Sequence, residues 1–373
     1  MDGANTFDPQ SWMPPRVVLV GIGMGADDIS RAGMRWIERA EVIAGGRRHL
    51  ELFPDHAGEH ILLDTTLAEF LDKVALISKE RRTVVLASGD PLFFGVGRRL
   101  AERVGRERLF TVPNVTSVQA VFARLCEPWE DVKVVSLHGR RGATQNWMRE
   151  LRYHARVALL TDPENPPNSI ARRLIDAGLD GCSMIVAEDM GLPSESVRRF
   201  STEEAAAMAF SPLNIVVVRA NEKITSRGPA LGLPESAFRH QAGLITKMEI
   251  RAVALACLQL EPDLVMWDLG AGSGSVSIEA SRLVPLRRVV AVERNADRYE
   301  DILENVKRFG CTEVVALHGD ASKLVGELPD PDRVFIGGSG EGLEVILAEA
   351  VSRLRPGGRI VQTVVTLDTL ERV

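Results

Sequence analysis

The sequence predicts an α/β protein in which parallel sheets are covered by helices, and three observations support this. The chain has 373 residues, which exceeds the roughly 250–300 residues at which a single hydrophobic core stops growing. Short β-branched segments alternate along it with amphipathic stretches, as in sheets with helices on both faces. Between Ala220 and Gly243 this alternation lapses into a segment rich in Gly, Pro and polar residues. We therefore expect a first domain over residues 16–220, a linker over 221–242 and a second domain over 243–373.

The composition is that of an ordinary globular protein. Hydrophobic residues make up 45% and charged residues 26% of the chain, which excludes a mainly disordered protein. The 45 basic and 51 acidic residues give a net charge of −6, whereas a general nucleic-acid binder usually has a basic domain. No apolar run approaches the roughly 18 residues that span a bilayer, and the start of the chain has no signal-peptide pattern. We expect a cytoplasmic protein that binds neither nucleic acid nor membrane.

The cysteines agree with this expectation. They lie far apart, without the spacing of a metal site, and are Cys126, Cys182, Cys257 and Cys311. Isolated thiols are typical of proteins in a reducing compartment. The sequence therefore predicts free cysteines and no metal centre.

Strands are expected wherever a short apolar run is bounded by turn residues. In the first domain these runs are Arg16–Val20, Val42–Ala44, Thr83–Ala87, Lys133–Leu137, Val157–Leu160, Met184–Ala187 and Ile215–Val218. In the second domain they are Leu264–Asp268, Val289–Glu293, Glu313–Leu317, Arg333–Ile336 and Arg359–Val365. We expect the first domain to consist of two lobes, about 16–112 and 113–220.

A glycine-rich loop in the second domain is the strongest local signal. The expected strand Leu264–Asp268 runs into Gly270-Ala-Gly-Ser-Gly274 and then into a helix. Glycines let the backbone turn tightly and approach a ligand, and the helix N-terminus offers unpaired N–H groups and a positive dipole end. Glu293 ends the next strand, 23 residues after Gly270, where a carboxylate can accept hydrogen bonds from both hydroxyls of a ribose. The third strand leads to Asp320 and Ala321, near where an adenine would lie.

Three interpretations of this loop are open. A dinucleotide site would need Gly or Ala at a position that is Ser275. A purely structural glycine turn would need no acidic strand ends. Asp268 before the first glycine, the acid Glu293 and the G-D-A turn at 319–321 together resemble the class I S-adenosylmethionine-dependent methyltransferases. That resemblance implies a Rossmann-like domain and the cofactor-binding residues Thr246, Gly270, Ala271, Gly272, Ser273, Gly274, Glu293, Asp320 and Ala321.

A second glycine-rich loop lies near the start of the first domain. Gly21-x-Gly23-x-Gly25 follows the first expected strand. A dinucleotide site could use Ala26 as its third small residue and Glu41, 20 residues after Gly21, as its ribose acid. Glu41, however, precedes the second strand instead of ending it, and this argues against a dinucleotide.

Later segments narrow the interpretation of the first domain. Ser88-Gly-Asp-Pro91 follows a strand, and Thr116 and Ser117 stand at the start of a helix. Each is by itself a turn or a cap. Together with S-L-H-G-R-R at 136–141 and S-P-L-N-I at 211–215, their order resembles the tetrapyrrole methylase superfamily, in which two small α/β lobes hold a folded S-adenosylmethionine in their cleft. The resemblance covers nearly all of the first domain and implies the cofactor-binding residues Gly23, Gly25, Gly89, Asp90, Thr116 and Ser117.

The fusion of a tetrapyrrole methylase to a class I methyltransferase resembles the family of bifunctional, decarboxylating precorrin-6Y methyltransferases of cobalamin biosynthesis. The segment G-L-I-T-K-M-E-I-R-A-V-A-L-A-C-L at 243–258 matches the family's approach to the second glycine loop. The resemblance implies methylation of a precorrin macrocycle at carbons 5 and 15, and loss of CO2 from the acetate at carbon 12. It implies two S-adenosylmethionine sites per chain, with one methylation in the first domain and the other, plus the decarboxylation, in the second. We also expect a homo-oligomer, a dimer or a tetramer.

Few side chains stand out as catalytic, since the enzyme's main task is to hold carbon, methyl and sulfur in line. Arg140 and Arg141 are candidates for pairing with substrate carboxylates, although arginine doublets are frequent in this chain and most of them must face solvent. His318 is a candidate proton carrier or a packed strand-end histidine. Glu249 and Arg251 flank the helix that leads to the second glycine loop. The sequence singles out no catalyst for the decarboxylation.

The end of the second domain departs from the class I pattern. Five strands are expected before Val373, whereas the class I sheet normally has seven, the last two in an antiparallel hairpin. Omission of two strands would expose a sheet edge and apolar surface. We therefore expect this domain to be C-terminally incomplete and destabilised in the chain as given.

Two other functions are open from the sequence. One is a two-domain NAD-dependent oxidoreductase of tetrapyrrole metabolism, which would bind NAD and not S-adenosylhomocysteine. The other is a scaffold in which only the N-terminal methylase is active.

Overall fold

The structure, a computed structural model, describes residues 8–138, 147–179, 181–221, 231–241, 243–338 and 342–364. Contacts within the chain divide it into two compact units. The first unit comprises Met1–Glu130, Val186–Arg198 and Ser211–Ile215, and the second comprises Asp131–Ile185, Arg199–Phe210 and Val216–Val373. The described residues contain three five-stranded sheets. The domain boundaries expected from the sequence stay predictions.

The first sheet belongs to the first unit and is parallel. Its strands are β1 (Val17–Gly21), β2 (Val42–Gly45), β3 (Glu59–Leu62), β4 (Thr83–Ala87) and β5 (Leu109–Val112), in the order β3-β2-β4-β1-β5. The helices in this part of the chain are α1 (Arg31–Ile37), α2 (Arg47–Leu50), α3 (Leu67–Ile77), α4 (Gly97–Val104) and α5 (Ser117–Leu125). The interior strands β1 and β4 are buried at every residue because apolar clusters cover both faces of the sheet.

The second sheet follows in the chain. Its strands are β6 (Lys133–Ser136), β7 (Arg156–Leu160), β8 (Ser183–Glu188), β9 (Ser196–Ser201) and β10 (Asn214–Arg219), in the order β6-β7-β10-β8-β9. The helical segments here are the 3-10 helix Trp147–Arg152, α6 (Pro167–Asp176) and α7 (Thr202–Ala207).

All seven strands expected before the linker are present, and the structure adds three that the sequence does not reveal. The additional strands β3, β5 and β9 all lie at sheet edges. An edge strand packs less completely than an interior strand, and both β3 and β9 have exposed residues. Their sequences therefore lack the continuous apolar run by which a buried strand is recognised.

The third sheet belongs to the second unit and is also parallel. Its strands are β11 (Val265–Leu269), β12 (Arg288–Glu293), β13 (Val314–His318), β14 (Arg333–Ile336) and β15 (Arg359–Gln362), in the order β13-β12-β11-β14-β15. The helices are α8 (Met248–Leu258), α9 (Ser275–Leu283), α10 (Ala296–Phe309), α11 (Ala321–Leu324) and α12 (Leu343–Arg353). The strand order reverses at β11, and ligands of open α/β sheets bind at the carboxyl ends of the strands at such a point.

Two features are absent from the part of the chain that the structure describes. None of its helices combines the length and the apolar character needed to cross a membrane. Nor do three or more His, Cys, Asp or Glu side chains of these residues come together in a group that could hold a metal ion.

Candidate functional site

The loop after β11 requires glycine at its first position. Gly270 has a φ of +71°, and a Cβ added to it would lie 2.0 Å from the carbonyl oxygen of Gly338. Gly272 and Gly274 are also left-handed, with φ of +58° and +73°. A Cβ on Gly272 would meet no atom of the described residues within 4 Å. The loop therefore packs closely against the backbone after β14 and borders open space at Gly272.

Glu293 at the end of β12 is fixed to this loop. Its side chain is buried, and its Oε2 accepts a hydrogen bond from the backbone N–H of Gly272 at 2.8 Å. Its Oε1 accepts a hydrogen bond from the N–H of Asn295 at 2.9 Å and lies 3.1 Å from Nη2 of Arg298. Carboxylate oxygens have two lone pairs each, so one Glu293 side chain can hold the loop and also accept hydrogen bonds from a ligand.

If Glu293 binds the ribose that the resemblance implies, its replacement by alanine should weaken cofactor binding by about 1–3 kcal/mol, because two charge-assisted hydrogen bonds would be lost. Titration calorimetry with S-adenosylhomocysteine measures the effect. Glu293→Gln is the matched control, since its amide oxygen still accepts the N–H of Gly272, and we expect an intermediate loss. An affinity of Glu293→Ala within twofold of the unchanged chain would overturn the ribose assignment.

The carboxyl end of β13 lies beside that of β12. After β13, the N–H of Gly319 donates to the carbonyl of Glu293 at 3.0 Å. Asp320 caps α11 by accepting the N–H of Ser322 at 3.0 Å, and hydrogen bonds from Ser322 lower the pKa of its carboxyl group. Ala321 is the first residue of α11 and is buried. The structure thus brings the strand ends together, while their contact with an adenine stays a prediction.

Two candidate catalytic residues are exposed. His318 at the end of β13 places Nε2 3.1 Å from the carbonyl oxygen of Arg294. Glu249 lies in the first turn of α8. The candidates Arg140 and Arg141 lie outside the described residues. The catalytic roles of all four stay predictions.

Asp268 ties α9 to the strand that precedes the glycine loop. It is fully buried, and its Oδ2 accepts hydrogen bonds from the N–H of Ser277 at 3.1 Å and from its hydroxyl group at 2.5 Å. Its Oδ1 has no hydrogen-bond partner among the described residues. Burial raises the pKa of Asp268 to about 6; the hydrogen bonds from Ser277 act against this rise and the charge of Glu293 adds to it.

This raised pKa makes stability depend on pH. The pKa of Asp268 is about 6 in the folded chain, above the usual 3.8. Asp268 therefore contributes about 3 kcal/mol to the free energy of unfolding below pH 3.8, and this contribution is lost as the pH rises through about 6. The side chain of Asp268→Asn does not ionise. As the pH rises from about 4 to 7, the unchanged chain should therefore lose stability relative to this variant. Urea unfolding across this range measures the difference. Parallel pH profiles for the two proteins would contradict the prediction.

A buried ion pair supports the approach to the loop. Arg251 in α8 and Glu279 in α9 are fully buried, with Nε of Arg251 3.0 Å from Oε2 of Glu279. Arg251 also donates to the carbonyl of Thr246 at 2.6 Å and to that of Leu233, whose N–H donates to Glu279. The pair therefore fastens Thr246, which the resemblance places at the cofactor, to the helix that follows the glycine loop. Sequence reasoning noticed Arg251 but missed Glu279, because no local pattern joins residues on two helices.

Asn305 in α10 is a second supporting residue that sequence reasoning missed. It is fully buried, and its Nδ2 donates to the carbonyls of Ser273 at 2.9 Å and Arg239 at 2.8 Å. Its Oδ1 accepts the N–H of Arg239 at 2.8 Å. Asn305 thus links the glycine loop to the segment before α8. The only signal in the sequence is a polar residue on the apolar face of an amphipathic helix.

In the first unit, the loop after β1 is built against the loop after β4. Gly23 and Gly89 form an isolated antiparallel bridge, and both are left-handed, with φ of +71° and +53°. A Cβ on Gly21 would lie 2.1 Å from the carbonyl oxygen of Gly89. Asn114, which sequence reasoning missed, donates through Nδ2 to the carbonyls of Gly21 at 3.1 Å and Asp28 at 2.8 Å. The two glycine-containing segments named from the sequence are therefore adjacent.

The other residues named in this unit have local roles. Thr116 caps α5 in a reciprocal capping box with Gln119, whose N–H lies 3.3 Å from Oγ1 of Thr116. Ser117 is the first residue of α5. Asp90 accepts the N–H of Leu92 at 2.9 Å in the turn after β4. Contacts of these residues with a cofactor stay predictions.

A cleft of about 310 Å³ opens beside the first glycine loop. Its lining includes Met24, Gly25, Asp28, Val115, Arg124 and Glu195. Nε of Arg124 lies 2.6 Å from Oε1 of Glu195, so the charges at one side of the cleft are paired. Gly25 therefore lines this cleft, as is expected of a residue that contacts a ligand.

Comparison with known proteins covers both parts of the chain. A family model of tetrapyrrole (corrin/porphyrin) methylases matches residues 16–206, and one described as a precorrin methyltransferase domain matches residues 236–373. A protein of Sinorhizobium sp named precorrin-6Y C(5,15)-methyltransferase (decarboxylating) is 34% identical over 361 residues, which are 94% of this chain and 85% of that protein.

Two shorter relatives each match part of the chain. The cobalt-precorrin-7 C(5)-methyltransferase of Salmonella typhimurium is 32% identical over 203 residues, 54% of this chain and 98% of that protein. The probable cobalt-precorrin-6B C(15)-methyltransferase (decarboxylating) of Pyrobaculum calidifontis is 39% identical over 143 residues, 38% of this chain and 73% of that protein.

Proposed function

The chain belongs to the family of decarboxylating precorrin-6Y C5,15-methyltransferases, and on this premise we propose that its two glycine loops serve two separate methyl transfers to one macrocycle. The enzyme uses S-adenosylmethionine to methylate a precorrin, and decarboxylates it, in cobalamin biosynthesis. The observation that carries the proposal is a left-handed glycine loop at the carboxyl edge of each of two parallel sheets.

We assign methylation at carbon 5 to the first domain, and methylation at carbon 15 with loss of CO2 from the acetate at carbon 12 to the second. The two shorter relatives support this division. One is named for the carbon-5 reaction alone and the other for the carbon-15 reaction with decarboxylation. Their matched lengths correspond to the sizes of the two expected domains.

The residues of the second domain fit an S-adenosylmethionine. Glu293 has free lone pairs for the two ribose hydroxyls, and Gly272 borders the space that the ligand would fill. When bound, the cofactor supplies a methyl group activated by its positive sulfur. The backbone of the glycine loop and the carboxylate of Glu293 would hold the cofactor, and Arg251 fixes Thr246, which the resemblance implies as a further contact. Alignment of reacting atoms is worth several kcal/mol, so few catalytic side chains are needed.

A second S-adenosylmethionine site per chain is assigned to the first domain. The residues that would hold it are Gly23, Gly25, Gly89, Asp90, Thr116 and Ser117. Two supporting observations are the contact between the loops that contain Gly23 and Gly89, and the adjacent cleft.

The substrate's carboxylates must be paired when they leave water. We keep Arg140 and Arg141 as candidates for this pairing, since guanidinium groups bind carboxylates in a bidentate manner.

We place the enzyme in the cytoplasm and expect a homo-oligomer. None of the four cysteines, all of which the structure describes, forms a disulfide bond, as is usual in a reducing compartment. Sedimentation of the full chain tests the oligomeric state.

The proposed function is tested with a precorrin substrate and S-adenosylmethionine labelled in its methyl group. We expect two labelled methyl groups and one CO2 per macrocycle. Release of CO2 shows that the second domain is active and so contradicts the scaffold. A single methyl group without CO2 would support the scaffold, and binding of NAD without methyl transfer would support the oxidoreductase.

A further inference from the structure

The carboxyl edge of the first sheet carries three polar side chains that the cofactor assignment does not use. Arg48 and His49 lie in α2 after β2, and Ser88 follows the neighbouring strand β4. Nη2 of Arg48 lies 2.9 Å from Oγ of Ser88, and Nε2 of His49 lies 3.0 Å from the same oxygen. Ser88 directly precedes Gly89, so this cluster adjoins the loops assigned to the first cofactor.

The hydrogen bonds of the cluster have a direction. Arg48 can only donate and therefore occupies a lone pair of Ser88 Oγ. The hydroxyl proton of Ser88 is then free to point to Nε2 of His49. Burial of the imidazole, with the positive charge of Arg48 beside it, lowers the pKa of His49 to about 4, although the backbone of Leu86 acts in the opposite direction. His49 is neutral near pH 7 and can accept a proton.

Methyl transfer to carbon leaves a proton to be removed. The new C–C bond forms with a π-electron pair of the macrocycle, while the S–CH3 bond breaks and its electron pair stays on sulfur. The sulfonium becomes a neutral thioether, and the positive charge moves to the methylated macrocycle. Loss of one proton from the macrocycle restores its charge, and the reaction therefore needs a proton acceptor.

We propose that Ser88 and His49 are this proton acceptor for the methyl transfer of the first domain, a role that rests on the proposed function of that domain. Ser88 Oγ takes the proton of the macrocycle while its own proton passes to Nε2 of His49. Arg48 holds Oγ in place for both proton transfers by its hydrogen bond, and the hydroxyl group is neutral before and after them. Ser88 is the catalytic residue, and His49 and Arg48 are positioning residues that act through it.

A weak base is sufficient for this step. The methylated macrocycle is cationic and therefore acidic. The imidazolium formed at His49 lies next to Arg48, and this neighbouring charge favours release of the proton to water. The histidine thus returns to its neutral form for the next turnover.

The sequence gives this cluster no prominence, because Arg47-Arg48 is one of several arginine doublets. The structure separates the two residues of the doublet. Both side chains are exposed in the same short helix, but of the two only Arg48 donates to Ser88 among the described residues. Arg47→Met is therefore a control of matched chemistry.

The test uses the full chain with a precorrin substrate and compares His49→Gln, Ser88→Ala, the double variant and Arg47→Met. We expect kcat for the carbon-5 methylation to fall by about 10²-fold in each single variant. The double variant should be no slower than the single ones, because the two residues act as one unit. KM for S-adenosylmethionine and the rate of CO2 release should stay within twofold of the unchanged chain, as should all rates of Arg47→Met.

Two results would overturn the proposal. One is a kcat within threefold of the unchanged chain in Ser88→Ala, whose side chain is exposed and whose loss does not threaten the fold. The other is a rise in KM with unchanged kcat, which would make the cluster a cofactor-binding element. Failure of the proposed function is distinguishable, since the unchanged chain would then transfer no methyl group to carbon 5.

Discussion

Arg251→Met is expected to lower the free energy of unfolding by about 3–5 kcal/mol, because it leaves the carboxylate of Glu279 buried without its partner charge. Both side chains are fully buried. The variant also frees the carbonyls of Thr246 and Leu233 from their guanidinium donor. Chemical denaturation followed by circular dichroism measures the loss.

Two further variants separate charge pairing from packing. Arg333→Met removes another buried arginine of the same unit, one that donates to the carbonyls of Leu258 and Gln259. The only carboxylate near Arg333 among the described residues is that of the exposed Glu261, 3.9 Å away. We expect a smaller loss for it, about 1–3 kcal/mol. Arg251→Met combined with Glu279→Gln should recover at least about 1 kcal/mol, because no unpaired charge is then buried. A double variant less stable than Arg251→Met would contradict this account.

Gly270→Ala is expected to slow strongly the reactions that we assign to the second domain. Its Cβ would lie 2.0 Å from the carbonyl oxygen of Gly338, and its φ of +71° is unfavourable for alanine. The loop must therefore move, and Gly272 moves with it from its hydrogen bond to Glu293. We expect CO2 release to fall by at least about 10²-fold, as it does when a reacting group is misplaced by about 1 Å.

The control for this variant is Gly357→Ala. Gly357 is left-handed too, with φ of +79°, but a Cβ on it would meet no atom of the described residues within 4 Å. Gly357→Ala therefore has the same unfavourable backbone conformation but no steric clash, so its rate of CO2 release should be retained. Methylation at carbon 5 should continue in both variants. Equal rates of CO2 release in Gly270→Ala and in the unchanged chain would show that the loop tolerates the Cβ.

The interior of the fold follows from local sequence. The interior strands of the described sheets are apolar runs bounded by turn residues, and Glu293 lies at the end of β12, as the sequence predicts. Edge strands such as β3 and β9 are hard to recognise in the sequence because two residues of each are exposed and few are fully buried. Their pairing is set by neighbours in space rather than by local pattern.

The supporting residues of the site could not be predicted in the same way. Arg251 and Glu279 are 28 positions apart, and Asn305 is 66 positions from Arg239. Arg251, Glu279 and Asn305 are polar residues on helices, and such a residue by itself indicates a solvated face. Burial and pairing decide its role, and both are tertiary. The same holds for His49 and Ser88, 39 positions apart, whose contact depends on the adjacency of β2 and β4.

The most direct test of two cofactor sites in one chain is the stoichiometry of S-adenosylhomocysteine binding by calorimetry, with the unchanged chain and Gly270→Ala side by side. We expect two molecules per unchanged chain and one per variant chain. One molecule per unchanged chain, or a variant that still binds two, would contradict it.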